Sequence, residues 1–342
     1  VFKSDDYGNS WEVISEDLSR QIDRNTLKVY DRVISIDAVE KNGSTSPYGA
    51  IVALSESSID PDFIAIGTDD GLIQITEDGG KTWRKVDNIS GAPDQSYVNS
   101  VYLSQHDSNL MYAAFNHHKY GDFTPYVFKS EDRGNSWKSI SNNLPKRGSV
   151  YSIEEDHVDK SLIFCGTEFG VFFSPNKGER WKKLGNGLPT IAVRDIAIQR
   201  RENDLVLGTF GRGFYVMDDY SSLRNIENSN IEVKAEIYPI REALMWEKSM
   251  PLGLPGKAFQ GDNFYSAENL DPVAMVTYYY SDSYKSIKEK RQKKEKESIK
   301  SEEDVTYPSY DELYAEVNEE KPKLVFTIKS PSGKVVKKIF KK

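Results

Sequence analysis

Short apolar runs broken by Gly, Asp and Asn dominate the first 219 residues. Four of them predict innermost strands at residues 49–55 (GAIVALS), 98–104 (VNSVYLS), 150–154 (VYSIE) and 193–199 (VRDIAIQ). After a polar turn, each is followed by a second run, at residues 63–68 (FIAIGT), 111–116 (MYAAFN), 162–167 (LIFCGT) and 205–209 (LVLGT). Third strands are predicted at residues 71–76, 126–130, 170–174 and 213–218. Strands rich in Val, Ile, Phe and Tyr, separated by turn residues, are the pattern of an all-β array of short antiparallel sheets. The group of runs recurs at a blade-length interval, which marks a repeat architecture.

A polar phrase punctuates the same array. It reads SDDYGNSW at residues 4–11, TEDGGKTW at 76–83, SEDRGNSW at 130–137 and SPNKGERW at 174–181. The carboxylates of Asp6, Asp78 and Asp132, and the amide of Asn176, are expected to accept backbone N–H bonds two or three residues on and so close a turn. Gly8, Gly80, Gly134 and Gly178 supply a left-handed residue. Trp11, Trp83, Trp137 and Trp181 begin the returning strand, each offering a ring to bury between neighbouring sheets. A calcium loop needs six to eight oxygens, and each phrase supplies one or two carboxylates; the turn is read as structural, with no metal.

The phrase resembles the Asp-box of sialidase-like and sortilin-like β-propellers. The first three copies match at all eight positions. The resemblance extends to TFGRGFYVMDDYSSLR (209–224), PVAMVTYYYSD (272–282), the Lys/Glu-rich stretch after it, and SPSGKVVKKI (330–339). Together these are similar to large bacterial sortilin-like, or BNR/Asp-box "glycosyl hydrolase-like", proteins. That resemblance implies a β-propeller, an extracytoplasmic location (periplasmic, cell-surface or secreted), and a protein or peptide ligand, as part of an outer-membrane or cell-surface complex.

The opening VFKSDDYGNSWEVIS matches YVFKSEDRGNSWKSIS at the third box, so the chain is expected to begin at the third strand of a blade. Residues 208–219 reach a third strand without a box. Four to five blades are visible, a partial propeller, and an N-terminal portion is expected to be missing. The division predicted is a propeller at residues 1–219, a linker at 220–231, and the start of a β-sandwich domain at 232–342. In that last part, strands at 272–280 and a hairpin at 322–338 flank a charged helical insertion at 284–317.

Composition narrows the chemistry. A net charge of −8 argues against nucleic acid as partner. No apolar run has membrane-spanning length, and no cofactor motif is present. The one cysteine, Cys165, sits in a strand-like run and is expected to be buried and inert. Function is expected on the face opposite the boxes, where second strands turn into third. Those turns gather Asp69, Asp70, Asp122 and Glu168 as candidate catalytic carboxylates, and His117, His118, Tyr120, Phe169 and Arg212 as candidate ligand contacts. Paired carboxylates across a sugar are what glycoside hydrolysis requires. A sialidase also needs an arginine cluster, and only Arg212 is suitably placed. The expected function is a non-catalytic, sortilin-like protein- or peptide-binding scaffold; the alternative is a sialidase- or xyloglucanase-like propeller glycoside hydrolase.

Overall fold

The computed structural model describes residues 1–41, 43, 48–226, 235–243, 245–247, 272–281, 284–320 and 322–341. The chain divides into two units, Val1–Asn230 and Ile231–Lys342.

The first unit is a series of antiparallel sheets in which strands follow one another in chain order. The first sheet pairs Phe2–Lys3 with Glu12–Val13. Apart from a two-stranded ladder of Lys28–Val29 with Arg32–Val33, the second is Ile51–Glu56, Ile64–Thr68, Ile73–Thr76 and Arg84–Val86. The third is Tyr97–Leu103, Met111–His117, Asp122–Ser130 and Lys138–Ser139. The fourth is Val150–Glu155, Ile163–Thr167, Gly170–Ser174 and Lys182–Lys183. The fifth has three strands, Val193–Gln199, Asp204–Thr209 and Phe214–Met217. Successive sheets pack face to face. Phe63, Ile73, Ile75, Val98, Met111 and Phe128 fill the space between second and third sheets. Tyr112, Ile153, Ile163, Cys165 and Trp181 fill the next, and Phe164, Phe173, Ile196, Leu207 and Tyr220 the last. This is a propeller-type stacking of blades, and among the described residues the sheets do not close into a ring.

The box turns show why the phrase has its residues. Asp78 Oδ1 accepts from the Thr82 N–H at 2.9 Å and its Oδ2 from the Thr82 hydroxyl at 2.6 Å, while Thr76 Oγ1 donates to Oδ1 at 2.8 Å. Asp6 and Asp132 repeat this pattern, and Asn176 keeps its backbone part through the Arg180 N–H at 2.9 Å. The backbone donor therefore lies four residues on, where the sequence suggested two or three. Two successive left-handed residues make the reversal, as at Arg133 (φ 55°) and Gly134 (φ 81°). The tryptophans differ in burial: Trp181 is buried, Trp83 and Trp137 are half-buried, and Trp11 is 64% exposed. Burial follows the neighbour each ring meets. Trp83 Nε1 donates to the Ile14 carbonyl at 2.9 Å and Trp181 Nε1 to the Ile140 carbonyl at 2.7 Å, each tying its sheet to the preceding one.

Residues 220–226 depart from the expected linker. Tyr220–Asn225 form a 3-10 turn, with Tyr220 and Leu223 buried against the fourth and fifth sheets. Asp156, fully buried in the turn between the first two strands of the fourth sheet, anchors them. It accepts from Tyr220 Oη at 2.5 Å and from Arg224 Nε and Nη2 at 2.8 Å each. Residues 227–234, which include the rest of that stretch, lie outside the described residues.

In the second unit, Ala235–Ile237 pairs with Tyr278–Tyr280 and Leu324–Lys329 with Val335–Lys341. Among the described residues these are two separate two-stranded ladders rather than the expected sandwich sheets. Helices α1 (Ile287–Lys300) and α2 (Tyr310–Val317) each begin with a capping box, at Ser286/Glu289 and Ser309/Glu312. Arg291 joins the two helices through Glu316 (2.5 Å) and also holds Glu295 (2.6 Å). No residue of α1 or α2 is buried.

Candidate functional site

Three repeated backbone bonds assemble one rim of the first unit. The residue after each second strand donates to the residue before the first strand of the same sheet: Asp69 to Ala50, Glu168 to Ser149 and Phe210 to Ala192, at 2.9 to 3.0 Å. The second-to-third turns and the entries of the inner strands therefore share an edge, opposite the box turns.

On that rim each inner strand carries the same defect. Ile51 and Ala53 face Thr68 and Gly67, leaving Val52 extra. Asn99 is extra between Val98 and Ser100, Tyr151 between Val150 and Ser152, and Arg194 between Val193 and Asp195. Such a bulge bends the strand and re-aims the extra side chain. Four in register place Val52, Asn99, Tyr151 and Arg194 at equivalent positions, with Arg194 exposed, Val52 and Asn99 half-buried and Tyr151 buried. Asn99 Nδ2 donates to the Val150 carbonyl at 2.5 Å and its Oδ1 accepts from Asn116 at 2.6 Å. The Arg194 guanidinium lies 3.7 Å from the Tyr151 ring centre and 5.2 Å from that of Phe210.

Sequence reasoning missed Asn99, Tyr151 and Arg194. A signal was present: VNSV, VYSI and VRDI place apolar residues three apart where strand alternation demands two, as a bulge does.

Three of the four candidate carboxylates are tied up locally. Asp69 Oδ1 accepts from the N–H groups of Gly49 and Ala50, both at 2.8 Å. Asp70 is fully buried and accepts from Thr68 Oγ1 at 2.5 Å and the Arg20 N–H at 2.8 Å. Asp122 takes the Tyr126 hydroxyl at 2.6 Å and the Thr124 N–H at 2.9 Å. Burial pushes the Asp122 carboxyl up, but these bonds outweigh it and leave it below its usual range. Glu168 lies on the rim with its N–H bound to Ser149.

The expected long loop at 116–125 is mostly ladder: His117 pairs with Asp122, and a 3-10 turn, His118–Tyr120, closes it. His117 stacks on Tyr120 with centroids 4.2 Å apart and has its Nδ1 3.0 Å from Ser96 Oγ. Partial burial lowers its pKa, favouring the neutral ring. His118 and Arg212 are exposed, and so are Tyr120 (60%) and Phe169 (44%). Among the described residues no group of His, Cys, Asp and Glu forms a metal site.

A cavity of about 440 Å³ lies between the second and third sheets, lined by Ile73, Val86, Ile89, Ala92 and Phe115, with Arg20 and Asp94 paired at 3.1 Å among its walls. Away from the rim, at the far end of its inner strand, half-buried Glu154 meets the Tyr102 hydroxyl at 3.3 Å. Burial lifts its carboxyl to about 7.

No family model matches the sequence, so the resemblance to sortilin-like proteins stands on its motifs; no curated protein matches either. Among solved structures, the chain is similar to an ancestral GH74 enzyme (16% identity, 50% of this chain and 24% of that one, TM-score 0.42). It is also similar to YCF48 bound to D1 peptide (17% identity, 50% and 51%, TM-score 0.39). A third is the Cps50 (Swd1) β-propeller domain of Myceliophteria thermophila (13% identity, 54% and 54%, TM-score 0.38). The chain spans about a quarter of the first structure and about half of the other two. These likenesses assign no role to any residue.

Proposed function

We propose that the first unit is part of a non-catalytic propeller that binds a protein or peptide along the rim of bulged inner strands, working as an extracytoplasmic scaffold of sortilin-like type. The second unit, in this reading, belongs to a β-sandwich with a charged helical insertion. The observation that carries the proposal is the commitment of the rim acids. Asp69, Asp70 and Asp122 hold turns and strand entries together, whereas the last bulge leaves the Arg194 guanidinium exposed over Tyr151 and Phe210. Hydrolysis needs a proton donor and a facing base free to act on a sugar; a recognition surface needs rigid, amphipathic side chains.

The test pairs two assays on the full chain. An array of immobilised peptides is expected to retain the wild type, with retention lost in Tyr151→Ala/Arg194→Ala. Xyloglucan and sialyllactose are expected to remain uncleaved. Cleavage abolished by Asp70→Asn/Glu168→Gln would replace the binding reading with a rim hydrolase. The specific observation favouring a hydrolase is Glu154, a carboxyl held near neutrality as a general acid would be. Cleavage lost in Glu154→Gln would move the chemistry there.

A further inference from the structure

In the first unit Arg133 pairs with Asp60 at 3.1 Å, Lys129 with Glu131 at 2.9 Å and Arg224 with Asp156 at 2.8 Å. Three rim cations lie over aromatic rings. Arg194 lies over Tyr151 and Phe210, Arg147 is 5.1 Å from the centre of the Phe123 ring, and Lys119 Nζ is 5.6 Å from Tyr97 and 6.0 Å from Tyr48. Among the described residues none of the three has a carboxylate within ion-pair distance, and Arg212, in the turn that follows Phe210, is exposed. Asp69 and Asp122 keep their charge but are turned to local hydrogen bonds rather than to these cations.

We infer that the rim recognises an acidic peptide segment, with Arg194 taking a carboxylate side chain of the ligand and Arg147 and Lys119 supporting it. This rests on the binding reading above and adds the ligand's chemistry. Ring faces hold the cations by their π-electron clouds and leave their N–H donors free. A guanidinium stacked in this way is already positioned, so little side-chain freedom remains to be lost when a carboxylate arrives. Its fork matches both oxygens of that carboxylate, which a lysine ammonium does not. Phe169, Phe210 and Tyr120, all substantially exposed, offer apolar area to the residues between the acids.

Fluorescence anisotropy tests the inference on the full chain. The probe is a fluorescein-labelled peptide in which Glu alternates with Leu and Tyr, compared with its Gln counterpart. The acidic peptide is expected to bind about tenfold tighter, and Arg194→Ala to weaken it by about tenfold. Arg194→Lys should restore only part of the loss, and Glu168→Gln, which removes a rim acid, should tighten binding. Unchanged thermal unfolding midpoints exclude misfolding. Equal affinity for both peptides, reduced alike in Tyr151→Ala/Arg194→Ala, would refute charge recognition and leave the binding reading intact. Binding of heparin with neither peptide bound would overturn the acidic-peptide inference in favour of an anionic glycan. If none of the three probes binds, both readings of the rim fail.

Discussion

Asp156→Asn is expected to be among the most damaging single changes in the first unit. Asp156 is fully buried and accepts five hydrogen bonds: from the N–H groups of Val158 (3.0 Å) and Asp159 (2.6 Å), from Tyr220 Oη, and two from Arg224. An asparagine keeps the shape but places an NH2 against one of these sets of donors, and it leaves the half-buried Arg224 without its counter-charge. Removing one partner of a buried ion pair costs about 3–5 kcal/mol, far more than the pair's net worth, because the remaining charge stays desolvated. In a unit of this size that lowers the unfolding midpoint by roughly 10 °C, read by near-UV circular dichroism. Arg224→Gln combined with Asp156→Asn should cost clearly less than the two single changes added, since the stranded charge is gone. A drop under about 2 °C, or simple additivity, would refute this account of how residues 220–226 are held. Acid provides a second reading. Burial raises the Asp156 carboxyl, but hydrogen bonds from Arg224 and Tyr220 outweigh it and leave it lowered. Its contribution is therefore present above the unfolded value of about 3.9 and lost as pH falls through the lower folded value; Asp156→Asn should lack that component.

Gly178→Ala should lower the midpoint by several degrees. Gly178 has φ +87°, and an added Cβ would lie 2.5 Å from Ile140 Cδ1 and 3.0 Å from its Cβ; an unchanged midpoint would contradict the packing described between the third and fourth sheets. The box carboxylates of Asp78 and Asp132 are lowered to about 2, chiefly by hydrogen bonds from Thr82 and Ser136. Their stabilising effect should hold above about pH 4 and fade toward pH 2, with NMR titration of the two carboxyls as the check. Cys165 is fully buried, and burial raises its thiol pKa. An aromatic disulfide reagent should label it in the unfolded chain and leave it unmodified in the folded one.

The blade register was legible because it is local. A Ser/Thr, an Asp and a Gly at fixed offsets fold their own turn, and the Trp that follows starts the returning strand wherever the phrase occurs. Tryptophan burial was not legible, since Trp83 and Trp181 are covered through carbonyls of the preceding sheet, at Ile14 and Ile140. The bonding of two rim carboxylates was not legible for a similar reason. Beside Thr68, the donors to Asp69 and Asp70 come from Gly49, Ala50 and Arg20, 19 to 50 residues away in sequence. The bulges set two residues against one across a ladder; the three-residue apolar spacing of VNSV, VYSI and VRDI hints at them, but which side chain is extra emerges only once two strands are aligned. Residues 220–226 read as a linker because their apolar positions, Tyr220 and Leu223, follow no strand period; the partner that orders them, Asp156, lies in another sheet.

Hydrogen–deuterium exchange on the full chain, with and without the Glu-containing peptide, tests most directly whether the rim is the working face. Protection is expected at the rim segments 95–99, 117–123, 147–151, 192–195 and 209–213, with the box turns at 76–83, 130–137 and 174–181 unchanged. Protection concentrated at the box turns, or absent from the rim under saturating peptide, would contradict it.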